Sequence, residues 1–343
     1  MSQSYVSQKQ IAAALGVSSQ TVSLALRGNT KISETTRNRV REKAKELGYV
    51  PDPGLRALAD YRSGNRKVAT RWNEVALIHN WPSEVMWKEA EFYQSWREEL
   101  KGAAGERGIR ISEYWLGPEG ERSRAVFRQL RNRGISGVFV APLSPDDPEP
   151  ILSIPRQGFQ VVTFGPEHLF PDYHTVQFDF YENLRLAWKV LWERGCRKIG
   201  LMYLAFHGWR TGHAWPAAYY VENLLNHGEH GGRRPLVLLD EDISLRREAY
   251  LSWMAEEKFD AVISSYGRIH EWNQELENPP EVAMVSVRNI SQQGIDLNLP
   301  HMAEIAVELL YVDMQNSLTN RKGPPFRIHV PGKWVDADTS DAT

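Results

Sequence analysis

The chain has 343 residues, 42% of them hydrophobic, a formal net charge of -2 and one cysteine, Cys196, which excludes an internal disulfide or a cysteine-based zinc cluster. That length exceeds one typical domain and can bury a sizeable core, so two or three globular units are expected. No apolar run approaches the roughly 20 residues a membrane span requires, and the start MSQSYVSQKQ lacks the basic and apolar parts of a secretory signal, so a cytoplasmic, nucleoid-associated protein is expected.

The first elements lie in Ser7 to Leu26. Ser7 and Gln10 have capping-box spacing, Ile11, Ala12 and Leu15 form an inward stripe, and Gly16 supplies the left-handed residue that ends a first helix. Ser18 caps a second helix, whose Val17, Val22 and Leu26 turn toward the first. Ser19, Gln20, Ser23, Leu24 and Arg27 then share the opposite face. Small side chains and an amide on one exposed helical face suit the DNA major groove, where close approach and base-edge hydrogen bonds are needed. Ser33 caps a third helix from about Glu34 to Leu47, with Val40, Ala44 and Leu47 as its buried stripe and Gly48 as its stop. The charge follows the same division. Residues 1–71 carry thirteen Lys+Arg against five Asp+Glu, the remainder 28 against 38, so the amino-terminal end is built to meet a polyanion.

The stretch VSQKQIAAALGVSSQTVSLALRGNTKISETTRNRVREKAKELGYVPDP resembles the DNA-binding headpiece of the lactose/galactose repressor (LacI/GalR) family of bacterial transcription regulators. Its GVSxxTVSxxL core, ISxxTRxRV third helix and LGYxP exit carry the resemblance. Gln20 is then expected to read a base edge, flanked by Ser19 and Leu24. The family often has arginine where Leu24 stands, so a thymine methyl is the alternative target there. Ser18, Thr21, Ser23 and Lys31 are expected on phosphates. Asp52 and Pro53 have the order of an N-cap and a first helical residue, with Leu55 and Leu58 on one face. The resemblance makes this a hinge helix that orders on DNA and inserts Leu58 into the minor groove. Residues 61–73, basic and aperiodic, read as a tether that can add phosphate contacts.

From Glu74 onward strands alternate with helices. Val75–Ile78, Ile109–Ile111, Gly137–Val140, Gln160–Phe164, Ile199–Met202, Leu236–Leu239, Ala261–Ile263 and Val282–Val285 read as buried strands. Phe92, Trp96, Leu100 and Ala103 form one helical stripe, and Met302, Ile305, Leu309 and Val312 another. The expected architecture is a small all-α helix-turn-helix headpiece plus an α/β regulatory module of two doubly wound lobes. Segments such as RNRGISGVFVAPL, VQFD, ERGCRKIGL, FDAVISS and GKW resemble the family's regulatory module, which is similar to periplasmic sugar-binding proteins. The expected domains are 1–50 for DNA binding, 51–73 for hinge and linker, 74–335 for effector binding and dimerisation, and 336–343 as a flexible tail.

Sugar-responsive members of that family usually have an aspartate where this chain has Arg288, an Asn-Asp pair where ISSYG offers Ser264, Ser265 and Tyr266, and an arginine near Trp215. A guanidinium in place of a carboxylate reverses the polarity of the cleft and points to an acidic group on the effector. Trp81, Trp209 and Trp215 are candidates for stacking on sugar faces, with core packing as the alternative, and Asp179 and Arg210 are further polar candidates. GxSxG, GxxxxGK[ST], HExxH and GxGxxG patterns are absent, and His227 and His230 sit among glycines without an acidic partner, so neither a catalytic residue, a metal nor a cofactor is expected. The leading function is a homodimeric regulator that binds double-stranded operator DNA under control of a sugar or sugar-acid effector. The alternative is a carbohydrate-active α/β enzyme with an appended DNA-binding domain.

Overall fold

The computed structural model describes residues 7–26, 32–47, 49, 74–85, 91–142, 144, 154–155, 157–165, 169–227, 233–239, 242–287, 291–318 and 323–337. Two compact units are distinguished, one containing the three amino-terminal helices and the other the two sheets.

The helical unit comprises α1 (Gln8–Leu15), α2 (Ser19–Leu26) and α3 (Glu34–Glu46). Each is short, so caps and packing must supply what intrinsic helix propensity does not. The Ser7 N–H donates to the Gln10 Oε1 at 2.6 Å, closing the N-terminal turn of α1. Gly16 closes its other end at φ 66°, a left-handed geometry that glycine adopts without a Cβ clash. Thr21 N–H donates to the Ser18 hydroxyl at 3.0 Å, and Thr36 N–H to the Ser33 hydroxyl at 3.3 Å, so both remaining helices start on serine caps. Ile11, Ala12, Val22, Ala25, Val40 and Ala44 are buried together, with Leu15, Val17, Leu26, Ile32, Leu47 and Tyr49 packed around them. Gln8 reaches across to the Tyr49 hydroxyl at 2.9 Å and ties the first helix to the chain beyond the third.

The larger unit begins with β1 (Glu74–His79), α4 (Glu91–Glu106), β2 (Arg110–Trp115), α5 (Ser123–Arg133), β3 (Gly137–Val140), β4 (Gln160–Thr163) and β5 (His174–Phe178). It continues through α6 (Phe180–Glu193), β6 (Ile199–Leu204), α7 (Ala205–Arg210), α8 (Ala214–His227), β7 (Leu236–Leu238), α9 (Ile243–Glu257) and β8 (Ala261–Ser264). Then follow α10 (Ile269–Asn273), β9 (Glu281–Met284), β10 (Gly294–Asp296), α11 (Leu299–Leu318), β11 (Arg327–Val330) and β12 (Lys333–Val335). The first sheet has the order β11-β5-β4-β3-β1-β2 and is parallel throughout; the second runs β12-β10-β9-β8-β6-β7, with β12 antiparallel to β10. Strands such as β3 and β8 are buried at every position, because helices cover both faces of a parallel sheet.

The chain passes between the sheets three times, after β5, after β10 and between β11 and β12. These passages meet at Gly332, where an added Cβ would lie 2.6 Å from the Ile295 Cγ2 and 2.7 Å from the Asp296 carbonyl. The Gly332 N–H donates to the Asn183 Oδ1 at 2.8 Å, fixing this crossing to α6.

The stripe expected on α11 differs from the one observed. Val312 is 47% exposed, whereas Met302, Ala303, Ala306, Val307, Leu310 and Met314 are buried. Small alanines allow the close approach that places this face inward, so the true stripe is rotated from the one the larger side chains mark. Met314 lies where a Cβ on Gly137 would come within 2.5 Å of its sulfur, so glycine in β3 makes room for this helix.

Candidate nucleic-acid interface and ligand cleft

On the helical unit, burying Val22 and Ala25 of α2 turns Ser18, Ser19 and Gln20 to solvent, with Thr21, Ser23 and Leu24 half-buried. Ser18 and Thr21 share a hydroxyl–hydroxyl hydrogen bond of 2.9 Å, so the same serine that caps the helix holds its neighbour in place. Gln20 therefore projects from the first turn of a helix whose start is fixed and whose opposite face is sealed, an arrangement suited to presenting an amide to base edges. Arg27, Lys31, Gly48, the hinge stretch with Leu58, and the tether through Asn73 lie outside the described residues.

In the larger unit a cavity of about 390 Å³ opens where the two sheets present the carboxyl ends of their strands. Pro142, Phe164, Gly165 and Phe178 line it from the first sheet's loops and strand ends; Ser265, Val285, Ser286 and Leu297 do so from the second. Such strand ends are where open α/β sheets hold ligands. The α4 residues Phe92, Tyr93 and Trp96 close one side, and Phe206, His207 and Arg210 of α7, with Thr211 and Trp215, close the other. Trp215 meets Phe180 and His207 edge to face at 5.9 and 5.3 Å between centroids. The His207 Nδ1 and the Ser265 hydroxyl are 2.9 Å apart. Arg210 lies 5.8 Å from the centre of the Tyr93 ring and 5.9 Å from that of Phe206, a cation held against aromatic faces from two elements.

Of the effector candidates read from the sequence, Arg210 and Trp215 line this cavity. Trp81 is buried beside it and donates its indole N–H to the Pro142 carbonyl at 2.8 Å. Trp209 packs on the first sheet's hydrophobic core, and Asp179 accepts the Glu182 N–H at 3.0 Å as the N-cap of α6. Arg288 lies outside the described residues. From ISSYG only Ser265 lines the cavity; the Ser264 hydroxyl accepts the Tyr266 N–H at 3.0 Å, and Tyr266 packs on the second sheet's core. Tyr93, Phe206, His207 and Gln177 are lining residues that periodicity did not single out. Their signal was position at the end of a strand, for Gln177, or on the helix that follows one, for Tyr93, Phe206 and His207. Among the described residues no three His, Cys, Asp or Glu side chains group as metal ligands, and no helix is long and apolar enough to cross a membrane.

Residues 7–52 match the family described as bacterial regulatory proteins, lacI family. That match covers the three amino-terminal helices. Relatives include the transcriptional regulator CelR of Thermobifida fusca, 29% identical over 56% of this chain and 53% of that protein. The maltose regulon regulatory protein MalI of Escherichia coli (strain K12) is 28% identical over 55% and 51%. AglR of Rhizobium meliloti is 30% identical over 53% and 49%, so the chain spans about half the length of the curated relatives it matches. Among solved structures, a CelR–cellobiose complex aligns with a TM-score of 0.55 and 21% identity, covering 96% of this chain and 98% of that one. A lac repressor dimer bound to operator and the anti-inducer ONPF aligns at 0.56 and 16%, covering 97% and 98%. At those identities the structural likeness establishes the fold, a family-type headpiece with two lobes resembling periplasmic binding proteins.

Proposed function

We propose that the protein is a sequence-specific transcription regulator whose operator affinity is set by a small sugar or sugar-acid effector bound between the two sheets. The observation that carries this reading is the α2 face: an exposed glutamine and serines on a capped helix within a family-matching headpiece. Gln20 reads a base edge; Ser19 and Leu24 flank it; Ser18, Thr21, Ser23 and Lys31 hold phosphates; and Leu58 wedges into the minor groove. Arg210 and Trp215 touch the effector, with Arg288 a further contact. The protein acts without catalysis from the cytoplasm.

The active species is a homodimer, because a near-palindromic operator is read by two-fold-related recognition helices about one helical turn apart. Tyr220, Val221, Leu224 and Leu225 of α8 are 37–69% exposed on one side of the helix, and a second copy of the chain is the occupant proposed for them. Genomic footprinting with the purified protein, with and without candidate effectors, tests the reading. Near-palindromic sites whose occupancy changes with one effector are expected; equal binding to all duplexes under every condition would sink it. Turnover of glycosides by the protein would instead support the enzyme alternative.

A further inference from the structure

Resting on the regulator reading, we propose that the cleft takes a ring compound bearing one carboxylate, and that the Arg210 guanidinium holds that carboxylate. Arg210 is the one charged side chain among the described lining residues, and no Asp or Glu lies among them. Among the described residues it forms no ion pair, and the Tyr93 and Phe206 rings are its neighbours. Rings offer a guanidinium no hydrogen-bond acceptor in the way a carboxylate does, so its fork of N–H donors remains for a ligand carboxylate, which such a fork binds in bidentate fashion.

Several of the remaining polar lining groups already bond within the protein. The Thr211 hydroxyl donates to the His207 carbonyl at 2.8 Å, and the Gln177 amide lies 2.8 Å from the His329 Nε2. The Ser265 hydroxyl meets the His207 ring nitrogen at 2.9 Å and the Leu204 N–H at 3.4 Å. Each ring hydroxyl buried without a partner weakens binding by about fivefold or more, a cost that uronic acids share with neutral sugars and that aryl carboxylates escape. An aryl carboxylate concentrates its polarity at one point and leaves the ring for the aromatic walls, and a uronic acid gains the ion pair with Arg210 over its neutral counterpart. The cavity of about 390 Å³ suits a compact molecule of one or two rings.

Two sources share this chemistry, uronic acids and aryl carboxylates, and calorimetry on the full chain separates them. Galacturonate, glucuronate, benzoate and phenylacetate are titrated beside galactose, glucose and benzyl alcohol. An acid is expected to bind while its neutral counterpart does not, and Arg210→Gln should weaken that binding about tenfold or more. Arg210→Lys, which keeps the charge but loses the fork, should fall between. The melting temperature without ligand reports whether each variant is folded, and the lysine variant carries the test if the glutamine variant is not. Neutral sugars binding as tightly as acids, acid binding indifferent to both substitutions, or no acid binding by a chain that still selects DNA sites would each overturn the proposal. Arginine-dependent acid binding by a chain that selects no DNA would uphold it and sink the regulator reading.

Discussion

The two compact units differ most in what fills them. The helical unit buries Ile11, Val22, Val40 and three alanines, whereas the sheets bury Trp96, Trp188, Tyr219, Tyr250, Phe127 and Phe139 almost completely. A unit with so little apolar volume has a thin stability margin and depends on its caps, while the lobes carry a large reserve. The contrast suits the proposed division of labour: reading DNA needs a small rigid face, and sensing a ligand needs a cleft between bodies that hold their own shape. Ile11→Ala should break this comparison most visibly. Removing most of a fully buried side chain costs about 2–5 kcal/mol, enough to unfold the helical unit. Calorimetry should show its transition lost and DNA binding abolished, with the transition of the larger unit in place. One shared transition that shifts as a whole would mean that the units do not melt separately.

A smaller effect separates reading from holding within the helical unit. Gln20→Ala should cost about 1–3 kcal/mol against the preferred site and nothing against random duplex, the signature of a lost base contact. Lys31→Ala should weaken both alike and flatten the salt dependence by about one counterion. Equal losses on every duplex for both variants would remove Gln20 from base readout.

The same contrast explains what could be read from residues alone. In the helical unit, Ser7, Gly16, Ser18 and Ser33 are local signals whose partners lie within a few residues, so caps and boundaries follow from spacing. The strands β1–β4 and β6–β9 were legible as apolar runs, but β5, β10, β11 and β12 were not. β5 carries His174, Thr175 and Gln177 among its apolar residues, β10 and β12 have three residues each, and β11 has Arg327 and His329 exposed, so none presents a continuous apolar run. The cleft was only partly legible for a related reason. Arg210 and Trp215 were visible as residue types, but Tyr93, His207 and Gln177 become lining residues only when distant strand ends converge. Trp81 and Asp179 show the reverse case: aromatic or polar identity drew notice, and hydrogen bonds within the protein, to the Pro142 carbonyl and from the Glu182 N–H, account for them.

Ser18 sharpens the comparison further, because it serves as a cap in the free protein and is proposed to hold a phosphate in the complex. Ser18→Ala should destabilise the helical unit by about 1 kcal/mol. Ser18→Asp should restore the cap, since aspartate accepts the Thr21 N–H equally well, yet repel the phosphate. Stability recovered with DNA affinity still lost would separate the two roles; affinity recovered along with stability would leave the cap as the only one.

The smallest expected effect falls on the larger unit. Glu74 on β1 accepts from Arg133 at 2.7 and 2.9 Å, lies 3.1 Å from the Arg110 guanidinium, and accepts from the Ser112 hydroxyl. Burial pushes this carboxyl's pKa up, but the Ser112 and Arg110 hydrogen bonds and the two guanidinium charges outweigh it and hold the pKa below its ordinary 4.5. A carboxyl whose folded pKa is depressed contributes stability that is complete above the unfolded pKa and is lost as pH falls through the folded one. For a partly exposed ion-pair cluster this amounts to about 1 kcal/mol or less. Glu74→Gln should therefore lower the melting temperature of the larger unit slightly at neutral pH and make its decline below about pH 4.5 shallower. The helical unit's transition should not respond. An unchanged acid slope in the variant would place the unit's acid sensitivity on other carboxylates.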